Sequence, residues 1–340
     1  MKKLSMIVCA VLFSCHLYAG NAVSDSLSVM FWNLENMFDY RDSGAGESDS
    51  EFSSYGCRHW TKRRFYAKCD AVAKSVLWIA DHSGRVPDVI CFAEVENSFV
   101  VHSIVNSTAL RKYGYRTVHY DSPDHRGIDV ALIYRDSIFG KVSSKSCHIY
   151  DREGRVMRTR DILQVSLRKL DDGCIYSFLV NHHPSRYGGD EETEWRREAA
   201  MERLRYVCDS LWREYDECHI VAAGDFNDTP SSGFFDIVCG GEMPCMSNLG
   251  ESSEAEGKGT IRYRGKWNVI DMFIVSEPLA GECSMEIVQI PFLMTRDSIH
   301  IGDRPLRTYS GPRYLGGVSD HCPVLLIYRG INKNLKVREK

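Results

Sequence analysis

Short apolar runs that end on acidic, amide or imidazole side chains recur from one end of this chain to the other, and they constrain its fold more than any other feature. Val29-Met30-Phe31-Trp32 leads into Asn33-Leu34-Glu35-Asn36, and Asp88-Val89-Ile90-Cys91-Phe92-Ala93 ends on Glu94. Cys174 to Asn181 ends on His182 and His183, and His219-Ile220-Val221-Ala222-Ala223 leads into Gly224-Asp225-Phe226-Asn227-Asp228. Near the C-terminus Ser319-Asp320-His321 precedes the run Val324 to Ile327, while Asp271 sits inside the run Val269 to Val275. Runs of this length bounded by polar residues read as buried strands. Strand mouths hold side chains rigidly yet leave them open to a substrate.

Between these runs the spacing predicts helices over Thr61 to Asp81, with Thr61 as cap, over Val95 to Tyr113 and over Glu191 to Tyr215. Further strands are expected at Asp129 to Tyr134 and Ile162 to Leu167. Arg41 to Gly56 is rich in Ser, Gly and acids and reads as a solvated loop, and Ser298 to Gly317, rich in Gly, Pro and Arg, reads as another. No repeat or linker interrupts the pattern. With 340 residues, 44% of them hydrophobic, the chain can bury a substantial core. The expectation is an α/β fold of packed sheets flanked by helices, one domain over residues 21–340.

Residues 1–20, MKKLSMIVCAVLFSCHLYAG, combine two lysines, an apolar run and a small-residue end, the pattern of a signal peptide. That predicts export to the periplasm or the medium. A looser match around Leu12-Phe13-Ser14-Cys15 leaves lipid anchoring at Cys15 as an alternative. No other stretch approaches the roughly 18 apolar residues that a spanning helix needs. The chain has 13 cysteines, and the eleven beyond the leader are scattered without a CxxC, which argues against a zinc ribbon or a dense disulfide framework. Formal charge is -4, with no basic tail to mark a duplex-binding surface.

Carboxylates gathered at one mouth repel, and a divalent cation removes that cost. Oxygen donors without cysteine favour Mg²⁺, with Mn²⁺ or Ca²⁺ as substitutes, over zinc. The 12 histidines include no HExxH helix motif, which weighs against a zinc hydrolase of that kind. An imidazole beside such a cation, titrating near neutrality, can take a proton from water.

Trp32-Asn33-Leu34-Glu35-Asn36, Ile90-Cys91-Phe92-Ala93-Glu94, Gly224-Asp225-Phe226-Asn227 and Ser319-Asp320-His321 resemble, in order, the successive signatures of the endonuclease/exonuclease/phosphatase superfamily. That superfamily includes deoxyribonuclease I, AP endonucleases, bacterial sphingomyelinases and inositol polyphosphate 5-phosphatases. The resemblance runs from about Val29 to Tyr328. It implies a deoxyribonuclease I-like, four-layered α/β sandwich of two packed mixed β-sheets with outer helices, acting as a monomeric metal-dependent phosphoesterase. Glu94 is then the main metal ligand, assisted by Glu35, Asp320 and Asn33, the last also meeting the phosphate. His321 is the general base, with Asp271 fixing its tautomer. Asp225 and Asn227 orient the nucleophile and phosphate, and His182 bonds the phosphoryl oxygens.

Several residues carry a second reading. Glu35 can cap a helix, and Asp225 or Asp228 can stabilise a turn before Pro230. His182 and His183 point to opposite faces of a strand, and family position selects His182. Arg126, Arg160 and Arg186 can each clamp a phosphate through a planar fork or serve the surface, and Asp39 can support Asn33 and Glu35 or lie in an exposed turn. The substrate implied first is nucleic acid. A phospholipid head group or a sugar or inositol phosphate is the alternative, and a non-catalytic binder on the same fold is a third.

Overall fold

Alternation along each run decides how the chain folds, because every strand has one apolar face for a second sheet and another for a helix. The computed structural model describes residues 26–330 except 45, 187, 216–217 and 242, so the leader with Cys15 lies outside the described residues. The chain opens on β1 (Ser26–Met37) and crosses through α1 (Lys62–Ser83) to β2 (Val89–Val95). It continues through α2 (Ser98–Asn106) to β3 (Tyr115–His119) and β4 (Asp129–Arg135). Next come β5 (Phe139–Cys147), β6 (Ile162–Lys169), β7 (Ile175–His182), the long α3 (Asp190–Glu214), β8 (Cys218–Asp225), α4 (Phe235–Cys239), β9 (Met246–Asn248) and α5 (Glu251–Ala255). A hairpin of β10 (Ile261–Tyr263) and β11 (Lys266–Asn268) precedes β12 (Asp271–Ser276), α6 (Glu277–Ala280) and β13 (Cys283–Ile287). The hairpins β14 (Met294–Arg296) with β15 (Asp303–Pro305) and β16 (Tyr309–Ser310) with β17 (Arg313–Tyr314) lead into β18 (Val324–Arg329).

Two six-stranded mixed sheets result, ordered β13-β18-β1-β2-β4-β3 and β5-β6-β7-β8-β12-β9. Leu27, Val29, Phe31, Val89, Cys91 and Leu132 of the first face Val165, Tyr176, Phe178, Val180, Val221 and Phe273 of the second. The opposite parity, Met30, Trp32, Ile90 and Phe92, packs against Phe65, Val72, Val76 and Ile79 of α1. Leu179, Ile220, Ala222 and Ile274 pack against Ala200, Leu204, Val207 and Leu211 of α3. Helix, sheet, sheet and helix therefore stack as four layers, the deoxyribonuclease I-like sandwich.

The parallel pairs β1–β2 and β7–β8 are bridged by α1 and α3, since parallel neighbours need a crossover connection. Their C-terminal ends lie at one mouth. Because β12 runs antiparallel to β8 and β18 antiparallel to β1, the N-terminal ends of those two strands reach the same mouth.

Three expectations change. Arg41 to Gly56 is not a freely solvated loop: Phe52 is buried, stacked on Phe38 with ring centroids 4.9 Å apart, and Asp49 is buried too. Val95 to Tyr113 is broken into α2 and a 3₁₀ turn at Ala109–Tyr113, because the Ser107 and Thr108 hydroxyls donate back to helix carbonyls and Thr108 caps the turn. Ser298 to Gly317 carries short hairpins. Cys69, Cys91, Cys147, Cys208, Cys218 and Cys322 are buried free thiols, Cys91 being part of the inter-sheet core. Among the described residues no helix is long and apolar enough to cross a membrane.

The interlocked inter-sheet face carries much of the stability. Replacing Phe178, fully buried between the sheets, by alanine is expected to cost about 3–5 kcal/mol in denaturant unfolding. A loss below about 1 kcal/mol would show that the sheets do not depend on this contact.

Candidate active site

Strand parity explains which polar side chains meet at the mouth. In β1, Leu27, Val29 and Phe31 face the inter-sheet core, and Asn33 continues their parity to the strand's polar end. The same rule carries from Tyr176, Phe178 and Val180 to His182, from Val221 and Ala223 to Asp225, and from Val275 and Phe273 to Asp271. Register sets His182 opposite Asp225 in one pair and Asp271 opposite Asp225 in the next. Gly224 makes this close approach feasible, since a Cβ there would lie 2.6 Å from Asn181 Cβ. His183 takes the other parity and packs edge-on against Phe226 at 4.9 Å, in the helix-side core. Register thus brings His182 to the mouth on physical grounds.

Glu94 breaks the rule. Alternation would send it, with Ile90 and Phe92, toward α1. Instead its backbone is left-handed, φ 59°, and the register with β4 slips between Ala93 and Val95. Bulges of this kind re-aim a side chain. Glu94 Oε2 accepts from Asn36 N at 2.7 Å, and Oε1 stands 3.5 Å from Asn33 Nδ2 and 3.8 Å from His182 Nε2. Of six left-handed non-glycine residues among those described, four, Glu35, Asn36, Glu94 and Asn227, lie at this mouth. Each such backbone costs of order 1–3 kcal/mol, so the strain is concentrated where the polar groups converge.

His321 and Asp271 form one half of the site. His321 Nδ1 lies 2.8 Å from Asp271 Oδ2 and 3.0 Å from Oδ1, in a buried contact. Its Nε2 is 3.9 Å from Asp225 Oδ2 and 3.8 Å from Asp320 Oδ1. Burial opposes the imidazolium, yet the charge and hydrogen bond of Asp271, joined by Asp225 and Asp320, outweigh it and hold His321 well above its ordinary pKa. Burial and then the Asp271 charge push Asp225 up to about 7, against His321, the Asn227 N–H and the Asn33 amide. Asn33 Nδ2 donates to Asp225 at 3.0 Å while its Oδ1 accepts from Glu35 N at 2.9 Å. Two long-range bonds fix the His321 loop to β1: Trp32 Nε1 donates to the His321 carbonyl at 2.9 Å, and Ser319 Oγ to that of Asn33 at 2.6 Å.

The other half is a carboxylate cradle braced by two cations that sequence reasoning missed. Glu35 accepts from Arg307 Nε at 2.8 Å and Thr308 N at 3.0 Å, and Arg307 Nη2 is 3.1 Å from Asp320. Lys68, only 2% exposed, donates from Nζ to the Glu35 carbonyl at 2.7 Å and to Thr308 Oγ1 at 2.8 Å. Burial, then the Asp320 charge, raises Glu35 to about 7 against Arg307 and Lys68, and burial lowers Lys68 to about 8. A signal for Lys68 existed: it lies three residues after Phe65 and four before Val72, on the apolar stripe of its helix. Arg307, in a loop, offered none.

The predicted arginines divide. Arg160 is no open clamp: at 4% exposure its fork is spent on the carbonyls of His182 at 3.2 Å and His183 at 2.6 Å and on Asp124 at 3.0 Å. It braces the end of β7. Arg186 is half-exposed, bonding the Asn227 carbonyl at 3.0 Å and pairing with Asp228, which also takes Arg197 at 3.1 Å. Arg126 is partly exposed beside Asp124. Asn227 donates from Nδ2 to the His183 carbonyl at 3.0 Å and from its N–H to Asp225. Asp39 turns toward the Arg41 N–H and Asn97 rather than toward Asn33 or Glu35.

The donor set suits a hard cation. Asn33, Glu35, Glu94, Asp225 and Asp320 offer only oxygen acceptors, and burial pushes the neighbouring Cys322 thiol up to about 12, so it stays neutral. Among the described residues one ligand-type cluster is His119, Asp121 and Asp129, and the other, at this mouth, is Asp225, Asp271 and His321. His321 Nδ1 is already engaged by Asp271, which makes that cluster a proton-handling group more than a cage. Asp320 adjoins it, 3.8 Å from His321 Nε2, and is tied to Glu35 through Arg307.

The Endonuclease/Exonuclease/phosphatase family model matches residues 28–329. The human 2',5'-phosphodiesterase 12 is 26% identical over 187 residues, 48% of this chain but 29% of that protein, so the chain matches under a third of this curated relative's length. Solved structures with the same fold include a mannosyl-6-phosphatase of Bacteroides thetaiotaomicron VPI-5482, with TM-score 0.56, 16% identity and coverage of 88% and 98% of the two chains. D. rerio TDP2 complexed with single strand DNA product gives TM-score 0.53 and 13% identity, covering 90% of this chain and 100% of that one. That family model spans nearly all of the described residues, and the chain belongs to the Endonuclease/Exonuclease/phosphatase family.

Proposed function

We propose that the protein is an exported, Mg²⁺-dependent phosphodiesterase that hydrolyses nucleic-acid backbones. The observation that carries this reading is the buried Asp271–His321 pair facing an all-oxygen carboxylate cradle across one mouth. Glu94 is the main candidate ligand, with Glu35, Asp320 and Asn33 completing the set. A bound Mg²⁺ supplies positive charge that offsets these carboxylates and polarises the phosphoryl oxygens. Mn²⁺ or Ca²⁺ satisfies the same donor preference.

In its neutral form His321 would take the proton of the attacking water at Nε2, while Asp271 holds Nδ1–H and so fixes the tautomer. Asp225 and Asn227 orient the water and phosphate from the opposite wall. Burial, followed by the charges of Arg160 and Arg126, lowers His182 well below its ordinary pKa, so it stays neutral and can donate to a phosphoryl oxygen without adding charge. The 2',5'-phosphodiesterase and TDP2 matches support a nucleic-acid substrate, and the mannosyl-6-phosphatase supports a sugar phosphate as the second reading.

His321→Ala is expected to lower kcat on a cleavable phosphodiester about 10²- to 10⁴-fold, the usual contribution of a general base. Full activity in this variant ends the assignment. Plasmid DNA, RNA, sphingomyelin and inositol phosphates assayed in parallel with Mg²⁺ decide the substrate, and turnover of the sugar phosphate alone displaces the nucleic-acid reading.

Glu35 and Asp225, both near 7 in the fold, hold protons that the unfolded chain releases near pH 4. The native state therefore binds more protons between pH 4 and 7, and stability without divalent cation falls as pH rises through that window. Mg²⁺ should raise the melting temperature more at pH 8 than at pH 5.5, where protons compete for the same carboxylates. An equal response at both pH values contradicts the cradle. For export, N-terminal sequencing of the mature protein is expected to begin near residue 21. Intact Met1 in the exported fraction argues against the leader.

A further inference from the structure

A trough of about 520 Å³ opens beside the cradle, walled by the segment between β5 and β6 and by the loop after β7 with the start of α3. Arg126, Arg155, Arg158, Arg160 and Arg196 line it, against a single acid, Asp151. Several of these are already partnered: Arg160 pairs with Asp124 at 3.0 Å, and Arg126 lies 3.9 Å from the same carboxylate. Asp151 and Glu153, each 2.8 Å from the Arg155 guanidinium, offset that charge, so the cations the trough presents to a ligand are Arg158 and Arg196. Arg158 and Arg196 are exposed, the nearest acid to Arg158 being Glu47 at 3.9 Å.

The trough adjoins the candidate active site at the end of β7. Arg160 at its base bonds the carbonyls of His182 and His183, and Pro184 and Ser185, the next residues, line the wall. Val156, Met157, Pro184 and Trp195 give it an apolar side and Thr159 and Ser185 a polar one, with the Arg196 guanidinium 5.4 Å from the Trp195 ring centroid. This mixture selects a ligand class. A monophosphorylated sugar could lay a C–H face on Trp195 but brings one phosphate for two exposed guanidinium groups, whereas an acyl chain would strip water from both. A nucleotide offers both a phosphate for the forks and a planar base for the apolar face, and the volume lies within the range of about 300–1,000 Å³ typical of small-ligand pockets.

We propose that this trough binds the nucleotide adjoining the scissile bond, so that the preferred substrate is a single-stranded nucleic acid with at least one further phosphate beside the one attacked. The proposal rests on the phosphodiesterase reading of the neighbouring mouth. Arg158 and Arg196 supply the phosphate contacts, and Trp195 with Pro184 supplies the surface for the base.

Steady-state kinetics with Mg²⁺ on a single-stranded hexanucleotide and on bis(p-nitrophenyl) phosphate test it, since the second substrate carries one phosphate and no base. In Arg158→Ala/Arg196→Ala the ratio of the two kcat/KM values, hexanucleotide over bis(p-nitrophenyl) phosphate, is expected to fall at least about tenfold. The slope of log(kcat/KM) for the hexanucleotide against log salt should become shallower by about 1.4, two single-strand contacts at about 0.7 each. Arg158→Lys/Arg196→Lys should restore most of that slope, which a loss of packing alone would not predict. A ratio within twofold of the wild-type value overturns the trough, and so does a wild-type enzyme that turns over bis(p-nitrophenyl) phosphate but no oligonucleotide. Inactivity of the wild type on both substrates strikes the phosphodiesterase reading instead. Hexanucleotide anisotropy in EDTA then decides the trough, with weaker binding in the alanine variant supporting it and equal binding overturning it.

Discussion

Negative charge forced together at the end of two sheets is the constraint around which this molecule is built. Asp225 and Asp271 oppose one another across an antiparallel pair, where like charges destabilise a sheet. Two unit charges about 4 Å apart repel by about 4 kcal/mol at the effective dielectric of a protein surface. His321 stands within reach of both, and Asn33 and the Asn227 N–H donate to Asp225 from other sides. On the far wall Arg307 reaches from Glu35 to Asp320, and Lys68 rises from α1 beneath them. These counter-charges let the chain fold while leaving a deficit of positive charge where substrate chemistry needs a cation.

The sandwich makes the convergence a matter of topology. Two parallel pairs, each closed by one crossover helix, aim the C-terminal ends of β1, β2, β7 and β8 at one point, the place where open α/β sheets bind their ligands. Antiparallel partners bring Asp271 and His321 there from the opposite direction. Loops add the rest. Arg307 arrives on the segment before β16, and the arginine-lined trough on the segment between β5 and β6. A rigid frame with variable rims lets one hydrolytic centre serve substrates of different shape.

Much of this was legible in residue order. The runs ending on Asn33, Asp225 and His182 mark strands and mouths, and extending the alternation Tyr176, Phe178, Val180 by one step selects His182 over His183 without any family argument. Glu94 shows the limit: a left-handed backbone and a slipped register reverse its facing, and neither leaves a trace in composition. Arg160 looked like a phosphate clamp because guanidinium chemistry permits it, but partners decide the role, and here they are main-chain carbonyls. The segment from Arg41 to Gly56 misled because one buried aromatic, Phe52, outweighs a dozen small polar neighbours. Thr108 did the same on a smaller scale by capping a turn where periodicity predicted continuous helix.

The pairing of β1 with β18 carries a consequence for biosynthesis. The first strand of the sandwich waits for the last, and the bonds from Trp32 and Ser319 that seat the imidazole join residues nearly 290 positions apart. A nascent chain still threaded through a ribosome exit tunnel cannot close this sheet or bring His321 to Asp271. The Asp271–His321 pair is therefore seated on β1 only once β18 has emerged and paired, and a chain cut short before residue 319 lacks that anchor.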